Sequence, residues 1–586
     1  MKATIIAQYH PAAALHQPRL WSTMIDDWQN LPEKVDADYT VTKPYKGAHY
    51  GNLIALDTEN APDGSLGQWS IALRDLDGHL KVSPFYGRQD WVDYQACQTA
   101  MHHAKHDIRV LKNNKMPVPR KIVCTMILAY CLGYGRQEVR DEETYQDAGM
   151  IGGLGLKYLA RRHLGMAMET WQEVKDHPEK IPEYNAKDSV ATYLLWEKWQ
   201  NQIPDFFWKI DMPLLHTIMA MEDRGISLDP KYLSNFNDYL GAELAKIELP
   251  LNAFSPKQVG DYIYGTLGIE PWKFTETGQP STDADVLEMI DDPVVAKILQ
   301  YKKLYKERGT YIQNYVEGLS PEGRIHPEFK QCRTATGRLA CARPNLQNVP
   351  REGSEMRALF VAPPGKLLVR VDWDKIEWRL IAAITQDPAM LKVFREGRNV
   401  HQESANIFGL SYEGGKKVNY LMSYGGQAWK ISQEFHIPLD RAKAGLALYF
   451  ETYPGVKGYM VDTEKAALET KKVSMWTGRT RRMDALFAED WRVRQQGIRE
   501  AINTPIQGGA GEIVKTAMNE LHHKHQAPML LQVHDELLFE VDEKDAKEYA
   551  NWLKEYIPTI TTINGMAFPV AVGIGRNWLE AMGNEV

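Results

Sequence analysis

The chain has 586 residues, with 69 Lys and Arg against 76 Asp and Glu, for a net charge of −7. Its 44% hydrophobic and 25% charged residues are globular proportions that exclude wholesale disorder. The acidic balance argues against a simple basic nucleic-acid-binding module, but it leaves room for an enzyme with metal-binding carboxylates beside a basic channel.

At roughly 150 residues per domain, the length predicts three or four domains. The five cysteines show no CxxC pair and no regular framework, so they read as reduced thiols in a cytoplasm. The opening stretch MKATIIAQYHPAAALHQ lacks the apolar centre of a signal peptide. No run of about 18 apolar residues predicts a membrane span.

The first 50 residues are mixed and punctuated by proline, and no role is assigned to them. Residues 53–56 form an apolar run ending in acidic residues, and 69–73 are predicted to pair with it across an Ala-Pro-Asp-Gly turn. Helical patterns are read from there to about residue 200. Ile203, Pro204 and Asp205 mark a domain boundary ahead of an amphipathic helix over 213–224, closed by Gly225. Further helices are expected to about residue 316, one of them starting at Ser255-Pro256. Beyond residue 324 strands and loops take over, followed by helices across 388–467. Near the C-terminus a helix is expected after Gln507. It precedes MLLQVHDELLFEV, a hairpin pattern with His534, Asp535 and Glu536 at its tip.

Two acidic groups stand out. Asp57 and Glu59 alternate on one strand and so share a face. Asp107 follows in HHAKHDIRVL, and YNAKD places Tyr184 and Asp188 at i, i+4. Four carboxylates and a phenol are a set able to hold two Mg²⁺ ions and orient a water. A lone DxE pair is more often a solvated strand end, and it is the ordered set that carries the signal. The second group joins Asp372, ending the strand KLLVRV, to Asp535 on the hairpin tip. Two strand-end carboxylates brought together would clamp ions at a triphosphate.

The order DxE, Asp, YxxxD over residues 53–195, with the helix GLGLKYLARRHLG, resembles the 3′→5′ exonuclease domain of the DnaQ-like superfamily. The resemblance implies that Asp57, Glu59, Asp107 and Asp188 bind metal and that Tyr184 positions the water. His103 stands where that family often has Asn, and Cys124-Thr125 where it often has Asp-Thr.

Four further segments, TATGRLACARPNLQNVP (334–350), VDWDKIEWRL (371–380), KKVNYLMSYGG (416–426) and QVHDE (532–536), together resemble family A DNA polymerases. Matches at FSPKQV, TETGQPSTDADVL, INTPIQGGAGEIVKTAM and VGIGRNWLEAM extend the resemblance from Pro213 to the C-terminus. It implies an α+β and α/β multidomain chain, with an RNase H-like exonuclease domain followed by a right-hand polymerase of thumb, palm and fingers. The expected division is exonuclease 1–205 (with an extension over 1–50), thumb and start of palm 206–330, palm 331–394, fingers 395–485 and palm 486–586.

By the same resemblance Asp372, Asp535 and the Trp373 backbone carbonyl hold metal. Lys416, Tyr420 and Tyr424 line one face of a fingers helix and, with Glu377 and His401, bind the incoming nucleotide. Lys416 would neutralise the triphosphate and protonate pyrophosphate, while Glu377 would exclude a 2′-hydroxyl. Arg338, Asn345, Gln347, Arg499, Asn503, Gln507 and His534 match positions that touch primer–template DNA, where amide and guanidinium groups suit minor-groove acceptors. Arg479, Arg481 and Arg482 in GRTRRM are expected to contact the template backbone. Tyr412 replaces a family arginine, leaving Lys417 or Arg398 as substitutes.

The implied enzyme is a DNA-directed DNA polymerase with proofreading, using Mg²⁺, two ions at each site, with Mn²⁺ able to substitute. Its partners would be primer–template DNA and dNTPs, with no membrane, and it would act as a monomer with replisome partners unknown. The small size and the absence of a preceding 5′-nuclease domain suggest a bacteriophage replication enzyme in the host cytoplasm. The rival readings are a single-subunit RNA polymerase and a non-catalytic DNA-binding relative.

Overall fold

The computed structural model describes residues 38–42, 53–61, 64–89, 92–134, 153–275, 278–351, 355–423 and 425–586. The extension before residue 38, part of the Ala-Pro-Asp-Gly turn, and Tyr424 lie outside the described residues.

The N-terminal third is built on a six-stranded sheet. Strand Leu53–Asn60 lies at its centre, parallel to Gln98–Met101, which is parallel in turn to Lys121–Cys124. On its other side Leu66–Arg74 and Leu80–Tyr86 pair antiparallel, with Asp57 opposite Ser70. The 53–56/69–73 pairing read from sequence is therefore present. Strands Leu80–Tyr86, Gln98–Met101 and Lys121–Cys124 fall where helical patterns were expected. Their buried runs are short (QTAM, KIVC), and such runs carry no period that separates strand from helix. Helices Ala104–Asn113 and Ile181–Trp199 cover the sheet, the latter burying Val190, Leu195 and Trp199.

Helix Met212–Arg224 ends at Gly225, whose φ is +61°. A Cβ there would lie 2.6 Å from the Ile325 carbonyl oxygen, so only glycine lets the chain turn against that strand. A separate small core of Ala253, Val259, Ile263, Leu287, Val295 and Ile298 follows. One of its helices, Pro256–Gly260, is capped by Ser255, whose side chain accepts from Gln258 N at 3.3 Å.

The C-terminal half centres on a four-stranded antiparallel sheet in the order Met529–Val533, Glu536–Asp542, Lys366–Trp373, Val570–Gly575. Behind it runs one 35-residue helix, Trp491–His525. The sequence places a helix only after Gln507, whereas Pro505 and Gly508-Gly509 belong to this longer one. The structure keeps all three inside the helix and buried, where a larger residue at Gly508 would strike Thr336 O at 2.5 Å. A third layer of helices, from Val400–Phe408 to Pro454–Thr470, has its own core around Phe408, Tyr449 and Tyr453.

Helices Ala104–Asn113 and Met212–Arg224 are locked together through Glu222, which is 3% exposed. It accepts from Lys105 Nζ at 2.8 Å and Phe329 N at 2.6 Å, and it pairs with Arg109. All five cysteines are buried and free, and among the described residues no helix is long and apolar enough to cross a membrane.

Candidate active sites

The first site is built on strand Leu53–Asn60, whose alternation turns Asp57 and Glu59 to one face. One carboxylate oxygen each from Asp57, Glu59 and Asp188 lie within 4.8 Å of one another. Asp107 is held beside them from helix Ala104–Asn113, its Oδ1 accepting from Thr58 N at 3.2 Å and Thr58 Oγ1 at 2.8 Å. Asn185 donates to Asp57 Oδ2 at 2.7 Å. Tyr184 precedes Asp188 by one helical turn and hydrogen-bonds to it.

Burial, and after it the neighbouring carboxylates, push Asp57 well above the usual carboxylate range and Glu59 to about 7. Burial likewise lifts Asp107 to about 7, against the two Thr58 hydrogen bonds. Four acids, two buried and two half-buried, that resist ionisation together are a site short of positive charge. The donor set, all oxygen and clustered, suits divalent cations.

The cation that the structure supplies is Lys157. It pairs with Asp188 and stands 3.9 Å from the Tyr184 ring centroid. Sequence reading gave Lys157 no role. It sits on helix Leu156–Leu164, 31 positions before its partner, and no local spacing betrays the contact.

The second site lies at the end of the antiparallel sheet. Asp372 pairs in register with Glu536, and Trp373 N donates to Asp535 O at 3.1 Å, so Asp372, on its strand, and Asp535, in the turn that leads into the adjacent strand, stand at the same end of the sheet. The turn between Val533 and Glu536 has only two residues, and His534 adopts φ +55° to make it. Burial, then Asp372, raises Asp535 to about 6. Asp372 Oδ2 accepts from Arg351 Nη2 at 2.9 Å and from Arg370. Beside the carboxylates an open cleft of about 400 Å³ is lined by Lys306, Gln347, Asn348, Arg351, His534 and Asp535.

Around this edge Glu377 accepts from Arg338 Nη2 at 2.6 Å, and Arg338 Nε donates to Gln507 O at 3.1 Å. Gln347 Nε2 donates to Gln532 Oε1 at 2.9 Å, and Asn345 accepts from Gln347 N at 3.1 Å. Asn345, Arg499 and His534 are exposed, whereas Asn503 is buried. Trp373 buries its indole at 3% exposure.

Lys416 and Tyr420 project from helix Tyr412–Ser423, both exposed. His401 Nδ1 accepts from Asn419 Nδ2 at 2.9 Å, which ties that helix to Val400–Phe408. Burial, then Lys375 and Lys416, depress the His401 pKa to about 4, so the ring is neutral at physiological pH. Lys417 lies 3.4 Å from Glu434, and Arg398 lies 2.9 Å from Glu396 and 2.8 Å from Glu403. Both candidate substitutes for an arginine at 412 are thus already engaged.

The basic run at 479–482 corrects the sequence reading. Arg479 is 4% exposed, paired with Asp211 and 3.0 Å from Glu512, with Phe206 under its guanidinium at 4.5 Å. Arg481 is also buried, donating to Thr504 Oγ1 at 2.9 Å and Glu500 at 2.7 Å. Neither can lie along a DNA backbone, and only Arg482 of the three is exposed. Local charge density could not distinguish an internal ion-pair network from a solvated patch.

The fold thus joins an exonuclease-type domain to a polymerase of the right-hand type. The model for "DNA polymerase family A" matches residues 235–580, and that for "3′-5′ exonuclease" matches residues 45–204. The chain belongs to DNA polymerase family A. It is 31% identical to DNA polymerase I of Pseudomonas aeruginosa, covering 94% of this chain and 67% of that protein. It is 36% identical to the thermostable DNA polymerase I of Thermus aquaticus over 64% of this chain and 48% of that one. It therefore spans about half the length of several curated relatives that it matches. Its fold resembles the POL domain of Pol1 from M. smegmatis in complex with DNA primer-template and dNTP, with TM-score 0.77, 24% identity, and coverage of 90% and 96% of the two chains.

Proposed function

We propose that this protein is a template-directed DNA polymerase that extends a primer 3′-hydroxyl with dNTPs and edits with a separate 3′→5′ exonuclease. The observation that carries the reading is the placement of Asp372, near a strand end, and Asp535, in the neighbouring turn, at one end of the sheet, with a second carboxylate cluster on another sheet.

At the polymerase site Asp372, Asp535 and the Trp373 carbonyl would hold Mg²⁺. At the exonuclease site Asp57, Glu59, Asp107 and Asp188 would do so. Two ions are expected at each. When bound, such ions supply a lowered pKa for the attacking hydroxyl or water and a counter-charge for the departing oxygen. Lys416 neutralises the incoming triphosphate and delivers a proton to pyrophosphate. Tyr420 stacks near the sugar and base, Tyr424 keeps the templating role that the resemblance implies, and neutral His401 donates through Nε2 to phosphate. Glu377, fixed by Arg338, closes the space a 2′-hydroxyl would need. Tyr184 orients the attacking water for editing. Gln347, Asn345, Gln507, Arg499 and His534 follow the minor groove, testing pair geometry without reading sequence, whereas Asn503, expected among them, is buried on its helix.

Primer extension with dNTPs against NTPs tests the proposal. Extension confined to dNTPs is expected, and equal use of both would overturn it in favour of an RNA polymerase.

A further inference from the structure

Arg370 precedes Asp372 by two positions on strand Lys366–Trp373, so both side chains leave the same face of the sheet. Arg370 is 3% exposed, an unusual place for a charge. Nη2 donates to Asp372 Oδ2, and Nε stands 3.0 Å from Glu536 Oε2. Glu536 is itself buried and held independently by Arg357 Nη1 at 3.3 and 3.2 Å and by the Trp578 indole N–H. Arg351 also reaches Asp372 Oδ2, but its side chain is 55% exposed and free to swing into solvent. The Arg370 side chain is 4% exposed and anchored on Glu536, so it cannot.

The two carboxylate sites therefore differ in fixed charge. The exonuclease cluster gathers four carboxylates against Lys157. At the sheet edge Asp372 shares its charge with a cation locked in place, and Glu377 is matched by Arg338. A counter-ion in contact with one oxygen of a carboxylate subtracts directly from what that carboxylate offers a dication.

We propose that Arg370 is a positioning residue that acts through Asp372: a fixed internal counter-ion that lowers the affinity of the bare polymerase site for divalent cations, so that ions load there together with nucleotide phosphates. The proposal rests on the reading of Asp372 as a metal ligand. Arg370 touches neither substrate nor metal. It sets how much of the Asp372 charge is available and fixes that carboxylate's orientation against the strand.

The test is Mn²⁺ binding without nucleotide, followed by electron paramagnetic resonance. It uses the full chain with its exonuclease cluster silenced by Asp57→Ala and Asp188→Ala. Arg370→Gln should bind Mn²⁺ about tenfold more tightly (~1.4 kcal/mol), and Arg370→Lys should restore the parent's weak binding. Adding dNTP should narrow the gap between Arg370→Gln and parent. Unchanged or weaker Mn²⁺ binding in folded Arg370→Gln overturns the proposal. Should that variant unfold, Arg370→Gln/Glu536→Gln removes the buried pair together and the same comparison applies. Adding Asp372→Asn to Arg370→Gln separates the two layers. Tight binding that survives it shows that Asp372 is not the ligand, and tight binding that disappears supports both readings.

Discussion

The Trp373 main-chain N–H donates to the Asp535 carbonyl at 3.1 Å, closing the end of the sheet so that Asp372 and Asp535, 163 positions apart in sequence, share one edge. This bond extends the ladder between Lys366–Trp373 and Glu536–Asp542 by one step past the pairing of Asp372 with Glu536. The two carboxylates gain their proximity from backbone pairing and not from any contact of their own.

Separate sites predict separable losses. Asp535→Ala should cut primer extension by at least about 10²–10³-fold, the scale of losing one preorganised electrostatic contact, while leaving primer degradation intact. Asp57→Ala should do the reverse. Both activities are read on one labelled primer–template, and a joint loss from either substitution would mean the sites are not independent.

Lys157 lowers the pKa values of Asp57, Glu59 and Asp188 together. Replacing it with Met removes that effect, so the carboxylates hold their protons to higher pH. The acid limb of the exonuclease pH–rate profile should move upward by about one unit, with the polymerase profile unmoved.

His102 is buried between Thr125 Oγ1 at 2.9 Å and the Leu154 carbonyl at 2.8 Å, and burial lowers its pKa from 6.5 to about 4. The unfolded chain therefore takes up this proton first. The stability contributed by neutral His102 is complete above pH 6.5 and falls as pH drops toward 4, by up to ~3 kcal/mol. NMR titration should find the ring neutral until about pH 4. The difference in unfolding free energy between parent and His102→Gln should change across this window only.

Arg479 bridges Asp211 and Glu512 in the interior, at 4% exposure. Arg479→Met leaves two buried acids facing Lys515 alone and should destabilise the fold by ~3–5 kcal/mol, seen as a lower melting temperature. The salt dependence of DNA binding should stay as in the parent. A reduced slope with normal stability would return Arg479 to the DNA surface.

Glu377 is held at 2.6 Å by Arg338, so its carboxylate is rigid where a sugar edge would pass. Glu377→Ala should raise the use of NTPs relative to dNTPs by about 10²-fold, measured as a ratio of kcat/KM values. Arg338→Ala should give a smaller change in the same direction.

What the sequence determined by itself was local placement: Asp57 and Glu59 on one strand, Tyr184 one helical turn before Asp188, the hairpin that carries Asp535 in its turn, and the helix stopped by Gly225. These rest on local rules, namely strand alternation, helical spacing, and residues that a turn requires. What only the tertiary structure decided were relations between distant segments: Lys157 on Asp188, Arg370 on Asp372, Arg479 buried between Asp211 and Glu512, and Pro505 inside one continuous helix. A charge near other charges in sequence carries no sign of whether water or a carboxylate will face it. That depends on desolvation, which is fixed when sheets and helices pack and which no local spacing encodes.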